Sequence, residues 1–332
     1  MSFQAFMPAT AAPTSDSLFN RAYASVFRPG RITLGLMTPL ARASGAMADA
    51  DAERQLAALA DRHGFAALWT REVPLMVPQG EPPQPVPLDD PFLWLAHLAQ
   101  STARIALGTA AIVLPLRHPL HVAKSALTLD RLSGGRLMLG LGSGDREAEF
   151  AAFGMDAARR GEVFQSSWPL LRAALSPVRN ERAPLLESTG GFELMEVPRT
   201  RIAMLAIGSA RQSLQWIARN ADGWASYHRD EPRQQGRIGL WQQALEQQGG
   251  GLAKPFIQSL HLVLAAERDA PAQPITLGLR AGRDALTEYL LRMQSIGVAH
   301  VILNLGTAAR SAHDIVEEIG REVLPRLEQC AS

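Results

Sequence analysis

A glycine-rich segment near the middle of the chain has the residue types of an anion-binding site. It reads GLGSGDR over residues 140–146. Gly142 and Gly144 let the backbone approach a ligand closely, while Ser143 and Arg146 supply hydrogen-bond donors. The spacing lacks the G-x-G-x-x-G of a dinucleotide-binding fingerprint. From these residues alone, phosphate binding and ordinary glycine-bearing strand-end geometry both stay open.

A second segment of the same character follows about sixty residues later. Residues 208–213 read GSARQS and lie where an apolar run passes into a helical pattern. Gly208, Ser209, Gln212 and Ser213 surround the predicted helix start, where free N–H groups and the helix dipole favour a phosphate. The alternative is that a serine here is a plain helix N-cap.

The elements that position these segments alternate strictly along the chain. Eight apolar runs alternate with eight helical patterns, which indicates parallel strands joined by right-handed crossovers. Eight βα units favour an α/β fold of the (β/α)8 TIM barrel type, and an open doubly wound sheet is the alternative. The predicted strands are 31–40, 66–70, 105–116, 136–144, 202–208, 223–228, 255–266 and 300–305. The predicted helices are 51–63, 90–100, 118–133, 157–175, 209–220, 234–248, 283–296 and 312–327.

Three stretches fall outside this alternation. Residues 1–17 are rich in Ala, Pro, Ser and Thr and have no usable period, so we predict an N-terminal extension over 1–30 before a single barrel domain at 31–328. The 74–91 stretch is rich in proline and too long for a simple turn. The 177–200 stretch has poor periodicity and predicts an inserted loop or hairpin. We expect the loops at 74–91 and 177–200 to set the choice of substrate.

Composition excludes several classes of function. The 332 residues carry 33 Lys and Arg against 32 Asp and Glu, a formal net charge of +1, so no basic field favours nucleic acid. The single cysteine, Cys330, predicts neither an internal disulfide nor a zinc cluster. No apolar run reaches the ~20 residues of a membrane helix, and no Lys or Arg precedes Arg21 as in a secretory signal. We therefore expect a cytoplasmic protein without a membrane partner.

Barrel enzymes place their active sites at the C-terminal ends of the strands. That rule selects Met37–Thr38, Thr70–Glu72, Ala110–Leu114, Gly142–Arg146, Gly208–Gln212, Tyr227–His228, Glu267 and Asn304. No His, Asp or Glu pair stands at metal-ligand spacing on one element, so no metal site is predicted. The GSGD at 142–145 also lacks the G-x-S-x-G frame of a hydrolase.

The segment over residues 104–154 resembles the bacterial luciferase-like flavin monooxygenase superfamily. It reads RIALGTAAIVLPLRHPLHVAKSALTLDRLSGGRLMLGLGSGDREAEFAAFG. The family's pattern has Gly-Thr, two small residues and Ile-Val-Leu-Pro, then His-Pro, Leu-Asp-x-Leu-Ser-x-Gly-Arg, a glycine-rich strand end and an acidic-Phe…Phe-Gly element. Weaker similarity extends over 30–327, within an uncharacterised branch of luciferase-type oxidoreductases.

The resemblance implies a TIM barrel that works with reduced FMN and O2, the flavin coming from a separate reductase, or with a deazaflavin. It implies a cis or bulged peptide bond at Ala110–Ala111, with the flavin ring against it. It also implies phosphate contacts from Ser143, Arg146 and the 208–213 turn. Family members commonly form dimers, and the matching helices here are about 90–100 and 118–132.

One departure from the pattern concerns the catalytic group. Luciferases carry an acidic-His-His stretch after the second strand, whereas this chain has Trp69, Thr70, Arg71, Glu72 and Val73 there. Glu72 is a candidate for the missing base, and its alternative is a structural partner for an arginine. The leading prediction is an FMN-dependent monooxygenase or oxidoreductase for a small organic substrate. The alternatives are a deazaflavin-dependent reductase or dehydrogenase and a flavin-binding protein without turnover.

Overall fold

Eight parallel strands close into a barrel surrounded by helices. The computed structural model describes residues 18–41, 46–78, 83–248, 253–305 and 310–329. The predictions for residues 1–17 and for Cys330 lie outside these ranges. Around the barrel the strands follow in chain order, and the last pairs in parallel with both the first and the seventh. The predicted (β/α)8 fold is confirmed, and the alternative of an open sheet is wrong.

The strands occupy nearly the predicted positions. Eight of them form the barrel, and β4, β9 and β10 are short additions to it. They are β1 (Thr33–Met37), β2 (Ala67–Thr70), β3 (Ala106–Thr109), β4 (Ile112–Val113), β5 (Leu137–Gly142), β6 (Ala203–Ile207), β7 (Gly223–Tyr227), β8 (Phe256–Leu264), β9 (Gln273–Ile275), β10 (Gly278–Ala281) and β11 (Val298–Asn304).

Helices cover the outside of the barrel. The α-helices of the described ranges are α1 (Arg21–Val26), α2 (Ala50–His63), α3 (Pro91–Ala99), α4 (Pro119–Ser133), α5 (Glu147–Ala152), α6 (Arg160–Leu175), α7 (Ala183–Thr189), α8 (Leu214–Asn220), α9 (Glu231–Glu246), α10 (Arg283–Ser295), α11 (Ala312–Glu318) and α12 (Leu324–Gln329). Asp49 and Asp90 cap α2 and α3, and each carboxylate accepts two backbone N–H bonds from the first turn of its helix.

The barrel interior is filled by one large aromatic side chain among aliphatic ones. Trp69 is fully buried, and a Cβ added at Gly108 on the neighbouring strand would collide with its indole ring. The indole N–H donates to Nε2 of the buried His300 over 3.0 Å. Because indole nitrogen only donates, that histidine is neutral, with its proton on Nδ1, 2.7 Å from the Thr33 hydroxyl. Burial correspondingly lowers the pKa of His300 to about 3.

The described end of the N-terminal extension contains a helix that the sequence pattern does not predict. Ala22 and Val26 of α1 are buried in the same cluster as Trp69 and Met138 from the barrel interior. The carbonyl of Val26 also accepts a hydrogen bond from Thr33 at the start of β1. This helix therefore closes the N-terminal end of the barrel.

The insertion at 177–200, predicted as a loop or hairpin, is helical over its first half and an irregular loop over 190–200, so the hairpin alternative is wrong. A 3-10 turn over Arg179–Arg182 leads into α7, and the stretch connects α6 to β6. A connection from a helix to the next barrel strand lies at the N-terminal face, opposite the strand ends that carry active sites. The expectation that 177–200 shapes the substrate site is therefore wrong. The antiparallel hairpin consists of β9 and β10 and follows β8.

None of the helices in the described ranges combines the length and the apolarity needed to cross a bilayer.

Candidate functional site

The third barrel strand is interrupted at the two alanines, and this break forms the floor of the site. The Ala110–Ala111 bond is cis, as predicted. Gly108 of β3 pairs with Met138 of β5, and Ile112 of β4 pairs with Leu141, so the β3–β4 side contains one residue more than β5. Such an extra residue is a bulge. Both alanines stay half-buried, so they face the mouth of the barrel.

Two contacts hold the neighbouring strand against this break. The hydroxyl of Thr109 donates to the carbonyl of Gly140 over 2.8 Å and accepts from its N–H over 2.9 Å. A Cβ added at Gly140 would collide with the carbonyl oxygen of Thr109. At Gly142 an added Cβ would lie 3.2 Å from the Cβ of Ala111. The absence of side chains at these glycines therefore leaves a flat surface beside the alanine pair.

Donors of the predicted anion segment follow directly after β5. Ser143 is buried, and its hydroxyl has no hydrogen-bond partner among the described residues. An Nη of Arg146 lies 3.5 Å from both carboxylate oxygens of the buried Glu149, which is long for a charge-assisted bond. Gly144 has a φ of +76°, and a Cβ there would lie 2.7 Å from Val113. Gly144 therefore has a steric reason to be glycine.

Glu72 is held in a buried ion pair. Its carboxylate accepts from Nε of Arg117 over 2.5 Å and from the backbone N–H of Val113 over 2.6 Å. Burial raises the pKa of Glu72, and the charge of Arg117 opposes that rise. Arg117 also binds Asp90 at the start of α3 over 2.6 Å. Both carboxylate oxygens are thus committed, in line with the structural alternative for Glu72.

Thr38 is fully buried beside the mouth, and its hydroxyl has two partners. It donates to the carbonyl of Trp69 over 2.9 Å and accepts from the indole N–H of Trp94 over 3.0 Å. These bonds fasten the end of β1 to β2 and α3. The hydroxyl has no donor left for a cofactor.

The second predicted anion segment is a left-handed turn. Gly208, Ala210 and Arg211 all have positive φ, and the helix starts only at Leu214, with Ser213 as its N-cap. The predicted helix start at 209 is therefore wrong, because three left-handed residues cannot begin a right-handed helix.

The polar side chains of this turn divide into committed and exposed ones. The amide of Gln212 donates to the carbonyl of Gly161 over 2.8 Å, and Ser213 accepts from Trp216. Ser209 is exposed. Ser209 thus remains the accessible hydroxyl of the predicted set in this turn.

Two residues of the selected strand ends to which the sequence assigns no role point into the mouth. Arg71 follows Trp69 by two residues, so strand alternation directs it to the same inner side. Tyr227 follows Ala225 of the inner cluster in the same way and is 57% exposed. The alternation of inward-facing and outward-facing residues along β2 and β7 is the signal in the sequence that identifies Arg71 and Tyr227.

The sequence places this chain in a known family. A model of the luciferase-like monooxygenase family matches residues 30–316. The chain therefore belongs to the luciferase-like monooxygenase family, and it is an oxidoreductase enzyme. The alternative of a flavin-binding protein without turnover is set aside on this ground.

The relatives by sequence include uncharacterized proteins and a named flavin-dependent monooxygenase. An uncharacterized protein of Mycobacterium bovis is 27% identical over 280 residues, which cover 80% of this chain and 90% of that protein. An uncharacterized protein of Sinorhizobium fredii is 36% identical over 147 residues, or 44% of this chain and 41% of its own length. The oxygenase component of a flavin-dependent trigonelline monooxygenase from Acinetobacter baylyi is 34% identical over 120 residues, 36% of this chain and 31% of that component. The matches to the last two thus span less than half of each relative.

Solved structures agree on the fold. The EDTA monooxygenase of Chelativorans sp. BNC1 has a TM-score of 0.69 at 14% identity, with 90% of this chain and 94% of that chain covered. An F420-dependent secondary alcohol dehydrogenase has a TM-score of 0.68 at 13% identity, covering 90% and 99%. At such identities the likeness shows the fold alone.

The Glu72 ion pair leads to a prediction about stability. Changing Glu72→Gln weakens two charge-assisted hydrogen bonds and should lower the free energy of unfolding by about 1–3 kcal/mol. Urea denaturation measures this change, with Glu288→Gln on the exposed face of α10 as the matched control. Equal stability of the two variants would contradict the structural role and would favour Glu72 as the catalytic base.

Proposed function

We propose that the chain is a monooxygenase that uses reduced FMN and O2 on a small organic substrate. The observation that carries this proposal is the flat floor formed by Ala110, Ala111 and Gly142, with the donors of Ser143 and Arg146 beside it. A planar ring fits the floor, and an anionic group fits the donors. Members of the family work with a reduced flavin, and FMN combines a planar ring and an anionic phosphate in one molecule.

Each side chain then has a distinct task. Bound reduced flavin would supply the electrons with which O2 is activated. Ala110 and Ala111 leave room for the ring, while Ser143, Arg146 and Ser209 would hold the phosphate. The Thr38 and Glu72 contacts fix the strand ends around the floor, and the carbonyl of Ala111 accepts a 3.1 Å hydrogen bond from the N–H of Glu72.

The second candidate is a deazaflavin-dependent reductase or dehydrogenase. It is favoured by two structural neighbours that depend on F420, the alcohol dehydrogenase and a tetrahydromethanopterin reductase with a TM-score of 0.65. A deazaflavin has the same flat ring and an anionic tail, so the floor and the donors also suit it. Reactivity with O2 separates the two candidates.

A separate reductase is the expected source of reduced FMN. The trigonelline monooxygenase relative is named as an oxygenase component, which supports a two-component arrangement. The test of the function combines titration of the purified chain with FMN and with F420 and oxygen uptake with a supplied flavin reductase. Tight binding of FMN with reductase-dependent oxygen uptake supports the proposal. Binding of F420 alone favours the second candidate, and binding of neither cofactor refutes both.

We also propose a homodimer formed through α3 and α4. These helices pack on each other, and Leu93 and Leu132 on them are 72% and 62% exposed. Leu93 lies in the first turn of α3 and Leu132 at the end of α4, so each helix carries one large apolar side chain that a partner would cover. Light scattering should give twice the chain mass of 35.9 kDa, and Leu93→Glu should shift it toward the monomer. A mass of one chain at micromolar concentration would refute the dimer.

The phosphate assignment predicts different effects on two flavins. Arg146→Met and Ser209→Ala should weaken FMN binding, Arg146→Met by about tenfold or more, because each charge-assisted hydrogen bond contributes about 1.5–3 kcal/mol. Riboflavin, which has no phosphate, should bind equally well to both variants and to the unchanged chain. Fluorescence quenching measures these affinities. Equal losses for FMN and riboflavin would contradict a phosphate role.

A large side chain at the alanine pair should block FMN binding and leave the fold intact. Ala111→Phe should fill the place of the ring, since the Ala111 side chain is half-buried at the mouth. Thermal melting should stay close to that of the unchanged chain, while FMN affinity should fall sharply. If Ala111 instead fills the core, the variant loses about 1–3 kcal/mol of stability and keeps FMN binding.

A further inference from the structure

We propose that Arg71 binds an anionic group of the substrate, so that the enzyme acts on an organic acid, in the first place a carboxylate. This inference rests on the proposed flavin-dependent function and names the class of substrate at the same site. Neither the family match nor the relatives assign a role to this residue.

The position of Arg71 directs its side chain toward the substrate space. Ala67 and Trp69 on β2 both belong to the inner cluster of the barrel, and Arg71 continues their alternation past the end of the strand. Trp69 fills the barrel below it. The Arg71 side chain therefore has the open mouth of the barrel above it.

Arg71 has no counter-charge in direct contact. Within the part of the chain that the structure describes, no carboxylate forms an ion pair with it, and its Nε–H is buried without a hydrogen-bond partner. The adjacent Glu72 is turned away to Arg117. An unsatisfied buried donor of a charged group is costly, and a bound anion would remove that cost.

The other arginines with a buried, unbonded Nε–H in the described ranges are held through the rest of the guanidinium. Arg160 donates to the carbonyl of Ala157, and Arg201 and Arg283 pair with glutamates. Arg136, 3% exposed, donates five hydrogen bonds within the fold. Arg71 differs because, among the described residues, its guanidinium has neither a hydrogen-bond partner nor an ion-pair partner.

A second cation near Arg71 strengthens the case for an anion. Burial lowers the pKa of Arg71, and the charge of Arg146 lowers it further, while Tyr227 and Asp145 act in the opposite sense. The two cations thus add to a positive potential at the mouth, which favours anionic ligands. The planar guanidinium presents paired N–H groups that match the two oxygens of a carboxylate.

The strand order separates Arg71 from most of the phosphate donors. Arg71 follows β2, whereas Ser143 and Arg146 follow β5, and β3 with its alanine pair stands between these two strands. A ring lying on Ala110 and Ala111 would therefore have Arg71 on one side and Ser143 on the other. The anion at Arg71 is accordingly assigned to the substrate, and the experiment tests the flavin phosphate as the other source.

The experiment compares probes that differ only in charge. Calorimetry measures binding of benzoate and benzamide, and of hexanoate and hexanamide, to the full chain with and without FMN. The variants are Arg71→Met, which keeps the length of the side chain without its charge, and Arg71→Lys, which keeps the charge without the fork. Arg321→Met, at an exposed position, is the matched control for loss of one charge.

The expected result is that an acid of at least one pair binds about tenfold or more tightly than its amide. Arg71→Met should abolish this preference, Arg71→Lys should restore part of it, and Arg321→Met should leave it unchanged. FMN affinity should stay within about twofold in all three variants.

Two outcomes overturn the inference without touching the proposed function. One is tight FMN binding with no preference for either acid over its amide. The other is an Arg71→Met variant that loses FMN but keeps riboflavin, which assigns Arg71 to the phosphate. Failure of the chain to bind any flavin is the separate result that refutes the proposed function. An acid preference that depends on Arg71 in flavin-free protein would still support the anion site.

Discussion

The extra residue between β3 and its neighbour β5 is the constraint on which the site depends. Pairing is regular at Gly108 and Met138 and regular again at Ile112 and Leu141, so the surplus residue has to bulge at the alanine pair. The Thr109 hydroxyl replaces the missing ladder bonds by binding both backbone groups of Gly140. Without a Cβ at Gly140 the strands approach closely enough for this, and the flat floor of the mouth follows from it.

Around this floor the polar groups divide into those that hold the barrel and those left for a ligand. Thr38, Glu72, Gln212 and Ser213 have their side-chain atoms bonded to neighbouring strands, loops or helices. The groups left for a ligand include three donors, the Ser143 hydroxyl, the O–H of the exposed Ser209 and the guanidinium of Arg71. These donors suit anions, which agrees with a flavin phosphate and an acidic substrate.

Much of the fold is predictable from the sequence because periodicity and capping residues are local. The strict alternation of eight runs gives the barrel, and Asp49, Asp90 and Gly134 mark helix ends where the structure has them. The break at Ala110–Ala111 was also predictable, although from resemblance to a family rather than from residue properties.

The errors arise where local patterns meet tertiary constraints. Ser209 looks like a helix start, but three left-handed residues delay the helix to Leu214. The 177–200 stretch looks like a substrate loop, but its place between α6 and β6 puts it at the other end of the barrel. Committed side chains such as Thr38 cannot be told from free ones in a sequence, because their partners, here Trp94, lie far along the chain. The strand-end rule includes Arg71 but assigns it no role, because the absence of a partner for its side chain becomes visible only in the folded chain.

In the proposed site, the broken end of β3 and the residues after β5 together bind a flavin at the C-terminal mouth. A crystal structure of the chain with FMN is the decisive test. We expect the ring in van der Waals contact with Ala110 and Ala111, the phosphate at Ser143 and Arg146, and open space between the ring and Arg71. An FMN bound elsewhere, or one whose phosphate lies at Arg71 with the ring away from the alanines, would contradict it.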